Sequence, residues 1–68
     1  MIATKKEADK AKAVEKRLVT EVNYQSRMAK NLREEGCHIF ASFAEGELMK
    51  ALRELKAFKQ LNQGLLDY

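Results

Sequence analysis

Two apolar stripes at helical spacing, parted by Gly36 and never broken by a proline, constrain this chain more than any other feature. In the first, Ala11, Val14, Leu18, Val22, Ala29 and Leu32 recur every three or four residues, with Ala8 and Met28 on the flanks and Gln25 as an interruption. In the second, Phe43 or Ala44, Leu48, Ala51 or Leu52, Leu55, Phe58, Leu61 and Leu65 do the same. That period lays one apolar face along an α-helix. Ala, Leu, Lys and Glu, all strong helix formers, are abundant throughout.

End signals frame the helices. Thr4-Lys5-Lys6-Glu7 has the Thr-x-x-Glu form of a capping box, and Gly36 offers the least costly left-handed stop. Ser42-Phe43-Ala44-Glu45 repeats the box form ahead of the second stripe, and Gly64 is its natural end. The expected layout is one small helical domain over 1–68, with a helix at 5–35, a turn at 36–42 and a helix at 43–63. A start after Gly46 is the alternative, since glycine in a first turn costs ~1 kcal/mol against alanine. Glu47 with Lys50, and Lys50 with Glu54, add modest support to the second helix.

The predicted fold class is therefore all-α, an antiparallel helical hairpin. The helices would be ~45 Å and ~30 Å long, so about ten residues of the first would project beyond the second. Sixty-eight residues bury only ~60% of their unfolded surface. A two-helix core also leaves apolar edges wet on both sides. Dimerisation into a four-helix or coiled-coil assembly, or docking on another protein, is the expected remedy. The competing layout is a three-element domain in which residues 38–43 fold back as a lid.

Several function classes are disfavoured. A single cysteine cannot form an intramolecular bridge, and it reads as an intracellular thiol. No apolar run approaches the ~18 residues of a membrane span. The basic N-terminus lacks the apolar core of a secretory leader, so a cytoplasmic protein is expected. The first stripe is too alanine-rich, and too poor in aromatic anchors, for a membrane-surface helix. Cys37 and His38 are adjacent, and adjacent side chains point apart; no third group stands near in sequence to complete a nucleophilic set. As metal ligands they supply two soft donors where structural zinc takes four, which only a dimer would provide. No enzyme activity, cofactor or metal is expected.

Two candidate surfaces remain. Ile39, Phe40 and Phe43 are large apolar side chains at or beside a turn, where polar residues are usual. They either plug the end of the hairpin or form the apolar centre of a protein interface. Tyr24 and Met28, one turn apart beside the first stripe, join them as interface candidates, with Leu65, Leu66 and Tyr68 a weaker set at the C-terminus. The second surface is basic. Residues 1–35 hold nine Lys or Arg against six Asp or Glu, whereas 36–68 hold four of each, so the net +3 lies wholly in the first part. Projected about Leu18, Lys5, Lys12, Lys16, Arg27 and Lys30 fall away from the core, with Asp9, Glu34 and Asn23 among them. They form either an ordinary solvated face or a row of phosphate or acidic-partner contacts. The expected function is a small non-enzymatic interaction protein, itself a homodimer, that docks on and regulates or inhibits a larger protein or complex. The alternative is a small basic dimer binding DNA or RNA.

Overall fold

The computed structural model describes residues 4–67 and holds two helices, α1 (Lys5–Glu34) and α2 (His38–Leu66). They pack side by side in a rod of 51 × 15 × 12 Å. Arg33 donates from Nε and Nη2 to Glu45 near the turn, while Lys59 Nζ lies 4.0 Å from Glu15 Oε2 farther along. These cross-links fix the direction: the helices run antiparallel, as the stripes predict. Both pairs are largely exposed, so they register the helices more than they stabilise them.

α1 starts where its sequence signal places it. The hydroxyl oxygen of Thr4 accepts from the Glu7 N–H at 3.2 Å, and the Thr4 carbonyl accepts from the Ala8 N–H at 3.0 Å. It ends in a closed motif around Gly36, whose φ of +84° is the left-handed conformation that a side chain resists. The N–H of Gly36 reaches the Arg33 carbonyl at 3.1 Å, and that of Cys37 reaches the Leu32 carbonyl at 2.8 Å. Those two bonds satisfy carbonyls that the end of α1 would otherwise leave open.

α2 departs from the expected layout. It begins at His38, not at Phe43, so the predicted turn over 36–42 shrinks to the segment around Gly36. Ser42 is no cap; it lies inside the helix, and its hydroxyl donates to the His38 carbonyl one turn back at 3.0 Å. Cys37 occupies the cap position without a side-chain hydrogen bond. Gly46 is accommodated within the helix rather than marking its start. α2 also runs on through Gly64 to Leu66. The helices thus contain 30 and 29 residues, and the expected overhang of α1 does not exist.

The seam between the helices is built on alanine. Ala8, Ala11 and Ala29 of α1, with Ala41, Ala44 and Ala51 of α2, are the buried residues, and no large side chain is fully buried among those described. Counted along the chain they fall into one sevenfold pattern. On α1 it runs Ala8, Ala11, Glu15, Leu18, Val22, Gln25, Ala29, Leu32; on α2 it runs Ala41, Ala44, Leu48, Ala51, Leu55, Phe58, Asn62, Leu65. Alternating steps of three and four are the repeat of paired helices that stay in register. Small side chains let the backbones approach closely, and the Leu, Val and Phe members are half-buried along the same line.

Three members of the expected α2 stripe fall outside this seam. Phe43, Leu52 and Leu61 are exposed, and Ala44, Ala51 and Asn62 take their places. Leu48, Leu55, Phe58 and Leu65 keep their expected places, and of the paired alternatives the alanine, Ala44 and Ala51, is the one that packs. Polar members are satisfied locally. Gln25 donates to Glu21 at 3.0 Å, and Asn62 donates to the Phe58 carbonyl at 3.0 Å. Asn62 itself leaves helical geometry, at φ −121° and ψ 20°, so α2 kinks where its side chain competes for that carbonyl.

Leu52 and Leu55, both candidates for the α2 stripe, should behave differently. Leu55→Ala is expected to cost ~2 kcal/mol, toward the lower end for an incompletely buried leucine. Leu52→Ala should stay within ~0.5 kcal/mol, as for an exposed position. Urea unfolding of the two variants checks this, and equal losses would place the seam elsewhere.

Candidate protein-docking surface

An antiparallel pair has two flanks, and the seam register assigns every polar position to one of them. Arg33 and Glu45 each follow a seam residue by one position, Leu32 and Ala44 respectively, and they meet across the helices. By the same rotation, residues that precede the seam positions Ala29 and Ala41 share the opposite flank. Those residues are Met28 and Phe40. Tyr24 and Phe43 stand one step farther out on that side, and Ile39 lies on the outer surface of α2, one turn from Phe43. Four of the five interface candidates are thus brought to one flank near the turn, with the fifth at its border.

They are not a plug. Ile39 is 75% exposed, Phe40 65% and Phe43 71%, Tyr24 is exposed, and Met28 is half-buried. Two open hollows accompany them. One, of about 300 Å³, is lined by Tyr24, Arg27, Met28, Asn31, Leu32 and Glu35. The other, of about 350 Å³, is lined by Gly36, Cys37, His38, Ile39 and Phe40. The first is a groove of α1 alone; the second wraps the turn.

The charged residues divide between the flanks. On the Arg33–Glu45 side stand Lys5, Lys12, Lys16 and Lys30 of α1, joined by Lys56 and Lys59 of α2, against Asp9 and Glu45. All five basic candidates from the sequence are exposed. Arg27 parts from the other four: it sits on the outer surface of α1 and lines the hollow with Tyr24 and Met28. Lys5 and Lys12 border the seam rather than lying opposite it, since the seam advances with a 3.5-residue period and the straight-helix projection does not. The contribution of Lys56 and Lys59 was invisible to a projection of α1 alone. On the apolar flank, Glu7, Glu21, Glu35, Glu47 and Glu54 hold the positions nearest the seam, with Lys10, Arg17 and Lys50 farther out. Lys50 Nζ lies 3.6 Å from Glu47.

Cys37 is half-buried and unpaired, and His38 is exposed on the first turn of α2. Among the described residues no three metal-ligating side chains come together, and no helix is long and apolar enough to cross a membrane. Leu65 and Leu66 are half-buried, with Leu65 in the seam, which removes them as an exposed pair. Tyr68 lies outside the described residues. Sequence reasoning missed Leu61, which is 84% exposed, and Met49. Leu61 precedes the seam residue Asn62, and so extends the Phe40 flank toward the open end of the hairpin. Counting register from the alanines would have exposed it. Comparison with protein-family models, curated proteins and solved structures gave no match for this chain.

Proposed function

We propose that this chain is a small non-enzymatic helical interaction protein that docks on a larger protein or complex and regulates or inhibits it. One observation carries this: Ile39, Phe40 and Phe43 stand exposed together on the first turns of α2, with Tyr24 exposed on α1, on a chain whose buried core is alanine. A two-helix rod that keeps Tyr24, Phe40 and Phe43 outside gains little stability from them as a monomer. Burial of such groups against a partner supplies the hydrophobic contribution that the seam lacks, and interfaces concentrate their binding energy in apolar and aromatic anchors of this kind. A second copy forming a four-helix dimer would cover the same residues. The cytoplasm, where a lone thiol stays reduced, suits this role.

A second function has its own support. The flank carrying Lys5, Lys12, Lys16, Lys30, Arg33, Lys56 and Lys59 gathers cations from both helices, in two groups parted by Met49 and Leu52, and such cations can contact a phosphate backbone. It offers few groups for reading base edges, so binding there would be indifferent to sequence. The competing functions separate on one variant. Lys12, Lys16 and Lys30, all replaced by glutamate, should leave the helical circular dichroism unchanged because they lie off the seam. Capture of a protein partner should survive this replacement. Loss of capture in the folded variant would move the function to the basic flank.

A further inference from the structure

Resting on the docking role proposed above, we infer that the Tyr24–Met28–Phe40–Phe43 flank receives a basic amphipathic helix of its partner. The occupant follows from the shape and charge of the flank. The hairpin offers no strand edge in its described residues, and its helical backbone groups are paired within the helices, so an extended peptide has nothing to add to. What it offers is the furrow along the seam, bordered by Met28, Phe40, Val14 and Leu61 interleaved with glutamates. A third helix laid in that furrow completes a three-helix packing and covers its apolar border.

Charge then selects among helices. In a protein of net charge +3, the seam-bordering positions of this flank hold carboxylates and apolar groups and no cation. Glu21 and Glu35 of α1 and Glu47 of α2 border the apolar cluster, and Glu54 continues the row. Lys50 offsets Glu47 at 3.6 Å, Lys10 and Arg17 stand farther out on the same flank and Arg27 at its outer rim, so the attraction is confined to the positions that border the seam. A helix with lysine or arginine beside its apolar stripe would place those cations against the row. An acidic helix or a nucleic acid would be repelled from it.

The test is a selection against the immobilised full chain from a displayed library of helices about 20 residues long, roughly 30 Å. Apolar residues are fixed at i, i+3, i+4 and i+7, and flanking positions are open to Lys, Glu or Ser. Enriched peptides should bind the wild type and not the Phe40→Ser, Phe43→Ser variant. Lysine should exceed glutamate at the flanking positions by about tenfold at low salt. That bias should vanish when the bait carries Glu21→Gln, Glu47→Gln and Glu54→Gln, three exposed changes whose effect on folding circular dichroism monitors. Peptides that require Phe40 and Phe43 but show no lysine bias would overturn the basic-helix inference while leaving docking in place. Failure to enrich any peptide that distinguishes the Phe variant would overturn both. Sedimentation supplies the remaining arm: a wild-type oligomer that the Phe variant dissolves would make a second copy the occupant and refute a separate partner helix.

Discussion

Ala41→Leu is expected to destabilise the hairpin by ~1–3 kcal/mol, the usual cost of forcing extra methylenes into a packed core. Ala41 is 0% exposed and faces the seam one turn after the chain reverses, opposite the stretch of α1 around Leu32. A position with no exposed surface has no room for the extra methylenes unless its neighbours move. The helices would have to separate along the alanine contacts of Ala29 and Ala44, and dispersion would be lost on both sides. For a chain of this length the loss corresponds to a fall of roughly 4–8 °C in Tm per kcal/mol. Ala57→Leu is the control, since Ala57 is exposed on the same helix and leucine has nearly the helix propensity of alanine. It should change stability by ~0.5 kcal/mol or less. Equal behaviour of the two variants would mean that the helices do not meet over alanine.

The second large effect is on binding rather than folding. Phe40→Ser combined with Phe43→Ser should leave Tm within a few degrees, because neither ring contributes to the buried core. Partner affinity should fall about 100-fold or more, since truncated anchors at an interface centre cost ~2 kcal/mol or more each and every ~1.4 kcal/mol is a factor of ten. Titration calorimetry or surface binding with the identified partner reads the affinity, and thermal circular dichroism reads the fold. A variant that melts early would return the two rings to a folding role. A variant that binds as the wild type does would remove them from the interface.

Much of this architecture is legible from residue type and spacing. The Thr4 cap and the Gly36 stop are local signals that correspond to a bond and a dihedral in the folded chain, and the two stripes correspond to its two helices. The exposed character of Phe40 and Phe43 was legible too, as one of two outcomes for apolar residues beside a turn. What could not be read locally was which residues face the partner helix. Hydrophobicity favours Phe43, Leu52 and Leu61 as core residues, whereas close approach of two backbones favours Ala44, Ala51 and the kinked Asn62. That choice belongs to the pair, not to either helix. The start of α2 was hidden for a related reason. Ser42 and Glu45 have the form of a capping box, but the earlier turn His38–Ala41 gains enough from burying Ala41 to continue the helix through it. Tertiary contact overrides a cap that is worth only about 1 kcal/mol. The charge division follows the same logic, since Lys56 and Lys59 join the basic flank, and Glu47 and Glu54 the acidic one, only once the register is set.

The most direct test of the central claim is capture from a lysate of the source cells at low and at high salt. Tagged wild type and the Phe40→Ser, Phe43→Ser variant serve as paired baits, and both protein and nucleic acid are quantified in the eluate. A stoichiometric protein held by the wild type at both salt concentrations, and absent from the variant, is the expected result. Nucleic acid retained equally by both baits at low salt and shed as salt rises would contradict it, and would assign the function to the basic flank.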